Sequence, residues 1–335
     1  MKTIATLAFA ALAATALALP AAAEWKPDKP ITVIVPYPAG GVTDLVVRVA
    51  ATDLEKAIGQ KIVVVNQPGA NGSIGTRAVM DAPKDGYTWG SGGVRDLGTY
   101  GVMGMLDTKL DDWHPFIIAS IASVLSVNPD AGVDSVAGFV EKVKADPENF
   151  LVATVGPNSS GGVALNAIAT AAGITPKQIV YDGGNPAVLA TVTGEAQATT
   201  QLAIEQAEMI RAGRLKPLAV IGRNPLKIGT VEIPAITDDL PKLPPSENFV
   251  GIYLPAGAPP EVVETLSKVW VETLSNSEAL ASLCETRGCG VHPVAGTVAV
   301  DEARPLVAAA AWGLFDRNQA KVSPETLGIA RPTAE

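Results

Sequence analysis

The sequence predicts an α/β chain of two domains, each a mostly parallel sheet flanked by helices, with a cleft between them. Three observations lead there. Short β-branched runs alternate with segments of helical periodicity, the pattern of strands joined by crossover helices. A glycine-rich strand-to-helix turn occurs twice, as Gly40-Gly41-Val42 and Gly161-Gly162-Val163. Two apolar extended stretches, 113–127 and 249–254, lie where the chain would pass out of one domain and back. At 335 residues there is length for two such cores. With two crossings, the domains read as 24–124 together with 249–335, and 125–248.

The opening unit sets the pattern. Residues 31–35 are a buried strand, and the run from Pro36 to Gly41 breaks it. Thr43 is placed to cap a helix whose first turn holds Asp44. With them Val42, Leu45, Val46, Val49, Ala50, Leu54, Ala57 and Ile58 recur at helical spacing, and Gly59 stops the helix. Free N–H groups and the positive end of the helix dipole meet there, which suits an anion. No Gly-Lys-Ser/Thr follows, so this is not a P-loop. Gly69, Gly72 and Gly75 miss the dinucleotide fingerprint, and Gly90, Gly92 and Gly93 match only its first half.

The rest follows in order. Strand 61–65 leads through a polar loop to helix 73–82, and strand 87–91 ends at Ser91-Gly92-Gly93. Ligands of such sheets sit beyond the carboxyl ends of the strands, where all three loops lie. Helix 135–145 and strand 150–155 open the second domain, and loop 156–162 leads into a helix ending near Gly173. Strand 178–181 precedes Asp182-Gly183-Gly184, with Asn185-Pro186 as N-cap and first helical residue. Strand 196–201, helix 203–212, strand 216–221 and a long connection over 226–248 complete that domain. Helices 260–274, 277–287 and 297–316 and a short strand 291–294 close the chain.

Composition narrows the function classes. The chain is 47% hydrophobic and 18% charged, with 32 glycines and 26 prolines, so it is globular and loop-rich. A net charge of −9 argues against nucleic acid and anionic membrane surfaces as partners. Residues 1–23 have the layout of a signal peptide: Lys2, an apolar stretch over 4–19, and Ala21-Ala22-Ala23 at the cleavage site. No later apolar run reaches about 18 residues, so no membrane insertion is expected once that segment is removed. The chain therefore reads as exported and periplasmic. Cys284 and Cys289 are spaced to allow a disulfide, which geometry decides. His114 and His292 lie far apart without metal-ligand partners, so neither a metal nor another cofactor is expected.

Several strings carry a family resemblance: PYPAGGVTD at 36–44, NQPGANGSIG at 66–75, VGPNSSG at 155–161, YDGGNPA at 181–187, IRAGRLKPLA at 210–219 and LPAGAP at 254–259. Together they resemble the Bug-type solute-binding receptors of tripartite tricarboxylate transporters. The resemblance implies a two-domain Venus-flytrap receptor, a monomer, that closes on a small organic carboxylate, a dicarboxylate foremost. It would deliver the ligand to a membrane permease of a large and a small subunit. By position, Tyr37, Ala39, Gly40, Gly41, Val42, Thr43 and Asp44 would hold one carboxylate through backbone amides and water. Asn158, Ser159, Ser160 and Gly161 would hold the other end, with Tyr181, Asp182 and Asn185 nearby. Asn71, Gly72 and Ser73 form the second loop of the first domain.

The chain departs from the family pattern at Val42, where serine is common, at Asp182 for lysine, and at Gln201 for an acid. Gly92-Gly93-Val94-Arg95 is also atypical, and a guanidinium at Arg95 can fork onto a ligand carboxylate. Three other readings stand beside this one. A receptor for a sensor kinase would have the same site. An amino acid or aromatic acid is an alternative ligand, with Asp44 and Asp182 facing an amine. A hydrolase would use Ser91, Ser159 or Ser160, but none sits in a Gly-x-Ser-x-Gly elbow or has a promising histidine.

Overall fold

The computed structural model describes residues 25–332 except 223 and 244–246, so the expected signal peptide lies outside the described residues. The chain opens with β1 (Ile31–Val35), α1 (Val42–Ile58), β2 (Ile62–Asn66), α2 (Ser73–Asp81) and β3 (Thr88–Gly93). β1 pairs in parallel with β2 on one side and β3 on the other. Ile31, Val33 and Val35 alternate into the core, and α1 lays Val46, Val47, Ala50 and Leu54 against them. Gly59 ends α1 in the left-handed region at φ 75°, its N–H returning to the Glu55 carbonyl at 2.9 Å.

A short helix, α3 (Val94–Thr99), follows β3 directly, with every residue buried. Then β4 (Trp113–Ile121) leaves the first sheet and β5 (Ser123–Val127) enters the second. The second half continues with α4 (Val136–Ala145), β6 (Leu151–Thr154), α5 (Ser160–Ala172), β7 (Lys177–Val180), α6 (Gly184–Val192), β8 (Ala198–Thr199), α7 (Ala203–Arg211) and β9 (Lys216–Ile221). A hairpin of β10 (Leu226–Ile228) and β11 (Val231–Ile233) precedes β12 (Asn248–Pro255), which returns to the first sheet. The chain ends with α8 (Pro260–Ser275), α9 (Glu278–Arg287), β13 (Cys289–Ala295) and α10 (Gly296–Asp316).

The sheets run β13-β4-β12-β3-β1-β2 and β7-β6-β8-β5-β9. The α/β architecture with two halves is as expected, but the sheets are mixed rather than mostly parallel. β12 is antiparallel to β3 and β4, and β5 is antiparallel to β8 and β9. The crossings explain this. A chain that leaves through β4 and β5 and comes back through β9 and β12 must reverse, so outgoing and returning strands pair antiparallel. Each sheet keeps its parallel unit, β2-β1-β3 and β7-β6-β8, at the side where the glycine loops emerge.

Local readings are corrected in four places. Thr43 lies inside α1, whose N-cap is Gly41, and Asn185 lies inside α6, whose N-cap is Gly183. The strand expected over 196–201 contracts to two residues, and the connection over 226–248 contains the β10–β11 hairpin.

One core gathers Trp89, Phe116, Leu266 and Trp270 around β1 and α1, and another gathers Leu125, Phe139, Phe150, Val152 and Ile168. Trp270 also donates its indole N–H to the Ile117 carbonyl at 2.6 Å. Cys284 and Cys289 are joined by a disulfide between α9 and β13. Among the described residues no helix is long and apolar enough to cross a membrane.

Candidate functional site: the cleft between the two halves

The first loop is shaped by Asp44, which is only 3% exposed. Its Oδ2 accepts the Gly40 N–H at 2.8 Å. Its Oδ1 accepts from Arg48 Nε at 2.8 Å and Asn66 Nδ2 at 2.9 Å. Asn66 Nδ2 also donates to the Tyr37 carbonyl at 3.1 Å. The carboxylate is thus engaged within the first half, and Gly40 takes the φ of 79° that this tight turn requires. Ala39 and Gly40 are exposed, Gly41 caps α1, and Val42 and Thr43 are buried behind it. In the neighbouring loop, Ser73 Oγ donates to the Ala70 carbonyl at 2.8 Å and the Tyr100 hydroxyl to the Asn71 carbonyl at 3.3 Å. A Cβ on Gly72 would come within 2.7 Å of the Tyr100 hydroxyl, so the tyrosine ring closes on bare backbone. Ser91 is fully buried inside the first sheet and donates to the Ile34 carbonyl at 3.1 Å.

In the second half, Ser159 caps α5. Its Oγ accepts the Gly162 N–H at 3.1 Å and donates to the Gly156 carbonyl at 2.7 Å. Ser160 Oγ donates to Asn248 Oδ1 at 2.8 Å. The Gly161 carbonyl accepts from Thr200 Oγ1 at 2.7 Å, and the buried Gln201 amide lies against Gly161. Tyr181 packs on Ala153, Ala187 and Ala196, while Asp182 is exposed. Asn185 Nδ2 reaches the Gly40 carbonyl at 3.4 Å, so a loop of each half touches the other.

Arg95 spans the two halves from α3 and is 4% exposed. Nη1 donates to Asn248 Oδ1 at 2.8 Å, and Nη2 donates to the Asn158 carbonyl and Asp96 Oδ1, both at 3.3 Å. The Tyr37 hydroxyl donates to Asp96 Oδ2 at 3.1 Å. Burial raises the Asp96 pKa, against the opposing pull of Arg95 and the Tyr37 hydrogen bond. Burial foremost pushes the Tyr37 and Tyr100 hydroxyls well up, so both remain neutral donors.

Three buried polar atoms here have no partner among the described residues: Arg95 Nε and both side-chain atoms of Asn158, a residue only 2% exposed. Each such group costs about 1–3 kcal/mol if left unmet. A free amide on a residue whose carbonyl meets a guanidinium offers an anion an N–H donor, with a positive charge at the same residue's backbone. The structure brings Gly40, Asn185, Arg95, Asn158 and Ser160 into the contact between halves; Asp44, Ser73, Ser91 and Ser159 make bonds within their own halves.

Asp96, Tyr100, Asn248 and Glu205 escaped sequence reasoning. Only the first had a signal: adjacent opposite charges, Arg95-Asp96, set between Val94 and Leu97. The catalytic alternative gains no geometry. The hydroxyls of Ser91, Ser159 and Ser160 bond to carbonyls or Asn248. His292 instead stacks on Phe249 and pairs with Glu302 at 2.6 Å. Among the described residues no group of three or more His, Cys, Asp or Glu side chains is arranged to hold a metal.

Two α/β halves joined by paired crossing strands, with polar loops meeting between them, define a periplasmic-binding-protein architecture. The chain belongs to the TctC family, the tripartite tricarboxylate transporter family receptors, whose model matches residues 46–299. It is similar to protein BugT of Bordetella pertussis, at 28% identity over 305 residues, 89% of this chain and 90% of that one. Among solved structures it resembles MatC from Rhodopseudomonas palustris with bound malate, with a TM-score of 0.73 at 22% identity, covering 88% of this chain and 98% of that one. It also resembles Rpa4515 from R. palustris with adipate, with a TM-score of 0.72 at 23% identity, covering 91% of this chain and 99% of that one. The family resemblance carried by the loop motifs is therefore membership, and the chain is a receptor of the solute-binding kind.

Proposed function

We propose that this chain captures a small organic carboxylate, a dicarboxylate foremost, in the cleft and delivers it to a membrane permease of a large and a small subunit. It acts as a periplasmic monomer after loss of residues 1–23 and performs no chemistry on its cargo. The domains are 24–124 with 249–335, and 125–248, with Asn248 at the boundary as the first residue of β12 in the first sheet. The observation that carries this reading is the buried Asn158 amide, with donor and acceptor both unmet, on the residue whose backbone carbonyl accepts from the Arg95 guanidinium. One ligand carboxylate belongs there, within reach of Arg95 and Ser160. The other belongs at the start of α1, where first-turn N–H groups lack intrahelical acceptors. The ion pair with Asp96 leaves Arg95 fixed in place, so a carboxylate meets a preformed donor. Solved proteins of the same fold with malate and adipate supply the first ligands to try.

The test is a thermal-shift screen of the mature chain, stripped by unfolding and refolding, against mono-, di- and tricarboxylates, aromatic acids and amino acids. A ligand at 100-fold excess over Kd adds about 2.7 kcal/mol to stability. Dicarboxylates are expected to give the largest shifts. Asn158→Ala and Arg95→Gln are each expected to weaken binding by about 10- to 100-fold, the size of a hydrogen bond to a charged group. Shifts confined to amino acids or aromatic acids would remove the dicarboxylate, and silence across the screen would remove the carboxylate altogether.

A further inference from the structure

Glu205 stands behind both loops of the second half. It lies on the first turn of α7, and its Oε2 accepts the Leu202 N–H at 3.2 Å. The Gln201 amide, oriented so that its oxygen accepts the Val155 N–H at 3.1 Å, donates to the same Oε2 at 3.2 Å. That amide abuts Gly161 at the start of α5, where a Cβ would come within 2.8 Å of it. On its other side the Glu205 carboxylate meets Gly184, the first residue of α6, where any Cβ would overlap it. The next residue, Asn185, is the one that reaches Gly40 in the first half. One carboxyl group therefore supports the starts of both helices that carry the second-half loops.

Its surroundings make the charge on that group consequential. Burial raises its pKa to about 7 against the Leu202 N–H bond, and the Gln201 amide bond opposes it further. The elements packed on α7 include α6 and β5, which carry no titratable side chain. β10 carries Lys227, and α9 carries Glu278, Glu285 and Arg287. On α7 itself, the exposed Glu208 pairs with Arg211 at 2.6 Å and with Arg287 at 3.1 Å. Asp182, in the loop before α6, is exposed to water. An ionised Glu205 occupies the positive end of α6 and sets a negative charge behind the loops that would receive an anion. A neutral Glu205 leaves that helix start to the ligand.

We propose that Glu205 is a positioning residue for the bound anion, and that a carboxylate enters the cleft together with one solvent proton taken up on the Glu205 carboxyl. This rests on the carboxylate-binding reading above. By linkage, an anion that raises the proton affinity of Glu205 must itself bind less tightly once the proton is gone.

Isothermal titration with malate and adipate from pH 5.5 to 8.5, in two buffers of different ionisation enthalpy, tests it. The wild-type chain is expected to take up as much as one proton per ligand between about pH 7 and 8. Its Kd should rise severalfold, and at most tenfold, per pH unit above 7. In Glu205→Gln the uptake should vanish and the Kd stay level across the range. A wild-type chain that binds with no proton uptake overturns the inference and leaves the receptor reading intact. So does a Glu205→Gln chain that keeps the wild-type uptake. Absence of carboxylate binding in both chains at every pH overturns both. Should Glu205→Gln fail to fold, the wild-type proton count decides alone.

Discussion

Asp44 accepts three hydrogen bonds, from the loop N–H of Gly40, from Arg48 one turn on, and from Asn66 at the end of β2. The (i, i+4) partner is legible in sequence spacing, but Asn66 is not, because only the parallel pairing of β1 with β2 brings it near. The same limit hid Asn248, which lies 153 positions from Arg95. Asp44→Ala is expected to cost about 1–3 kcal/mol in urea unfolding, since it removes the charged acceptor shared by the Gly40 N–H, Arg48 and Asn66, while Asn66 Nδ2 keeps the Tyr37 carbonyl. An unchanged midpoint would show that the loop holds its shape without the carboxylate. Glu205 gives the opposite sign. Its folded pKa of about 7 exceeds an ordinary glutamate value, so the folded state binds the extra proton and stability falls as pH rises toward 7. Buried Asp96, also raised, pulls in the same direction. Glu205→Gln should therefore melt progressively higher than wild type from pH 5 to 8, by about 1–3 kcal/mol at the upper end. Parallel melting curves would sink this account.

Among the elements, those built on periodic apolar residues were readable: α1 extends to Ile58, β9 spans Lys216–Ile221, and α4 starts after its Ser135 cap. α3 was not, because burial on every side removes the amphipathic period that sequence reading depends on. Strand direction was misread because it follows from where the chain crosses, which no local pattern encodes. The α9–β13 junction is held by the Cys284–Cys289 disulfide, around a left-handed Gly288. A loop this short restricts the unfolded chain modestly, so the double Cys→Ser variant should lose about 2 kcal/mol. Because α9 packs against both α1 and α7, the loss should also reach the junction between halves. Hydrogen exchange that quickens in α9 alone would limit the disulfide to a local role.

At the scale of the molecule, the halves share an apolar junction where α9 packs on α7 and Leu202 and Ile204 join the first core. Away from it their loops meet through few and polar contacts: Arg95 with Asn158, Ser160 with Asn248, and Asn185 with Gly40. Interfaces of this kind leave relative motion as the default, and a ligand closes them only through its differential affinity for the closed form. Arg95 is the contact with most to lose, since it is buried and charged and its Nη atoms reach both Asn248 and Asn158. In Arg95→Ala the closed form should fall in population, and the apparent Kd should rise as the reciprocal of that fraction. A fluorophore pair, one on the exposed face of α4 and one on the exposed face of α8, reads this directly. Wild type should shorten its donor–acceptor distance on saturation with the dicarboxylate, and Arg95→Ala should need about 10- to 100-fold more ligand for the same shortening. Equal distances with and without ligand in the wild type would mean that the halves form one rigid body, and the contacts across the cleft would then be structural.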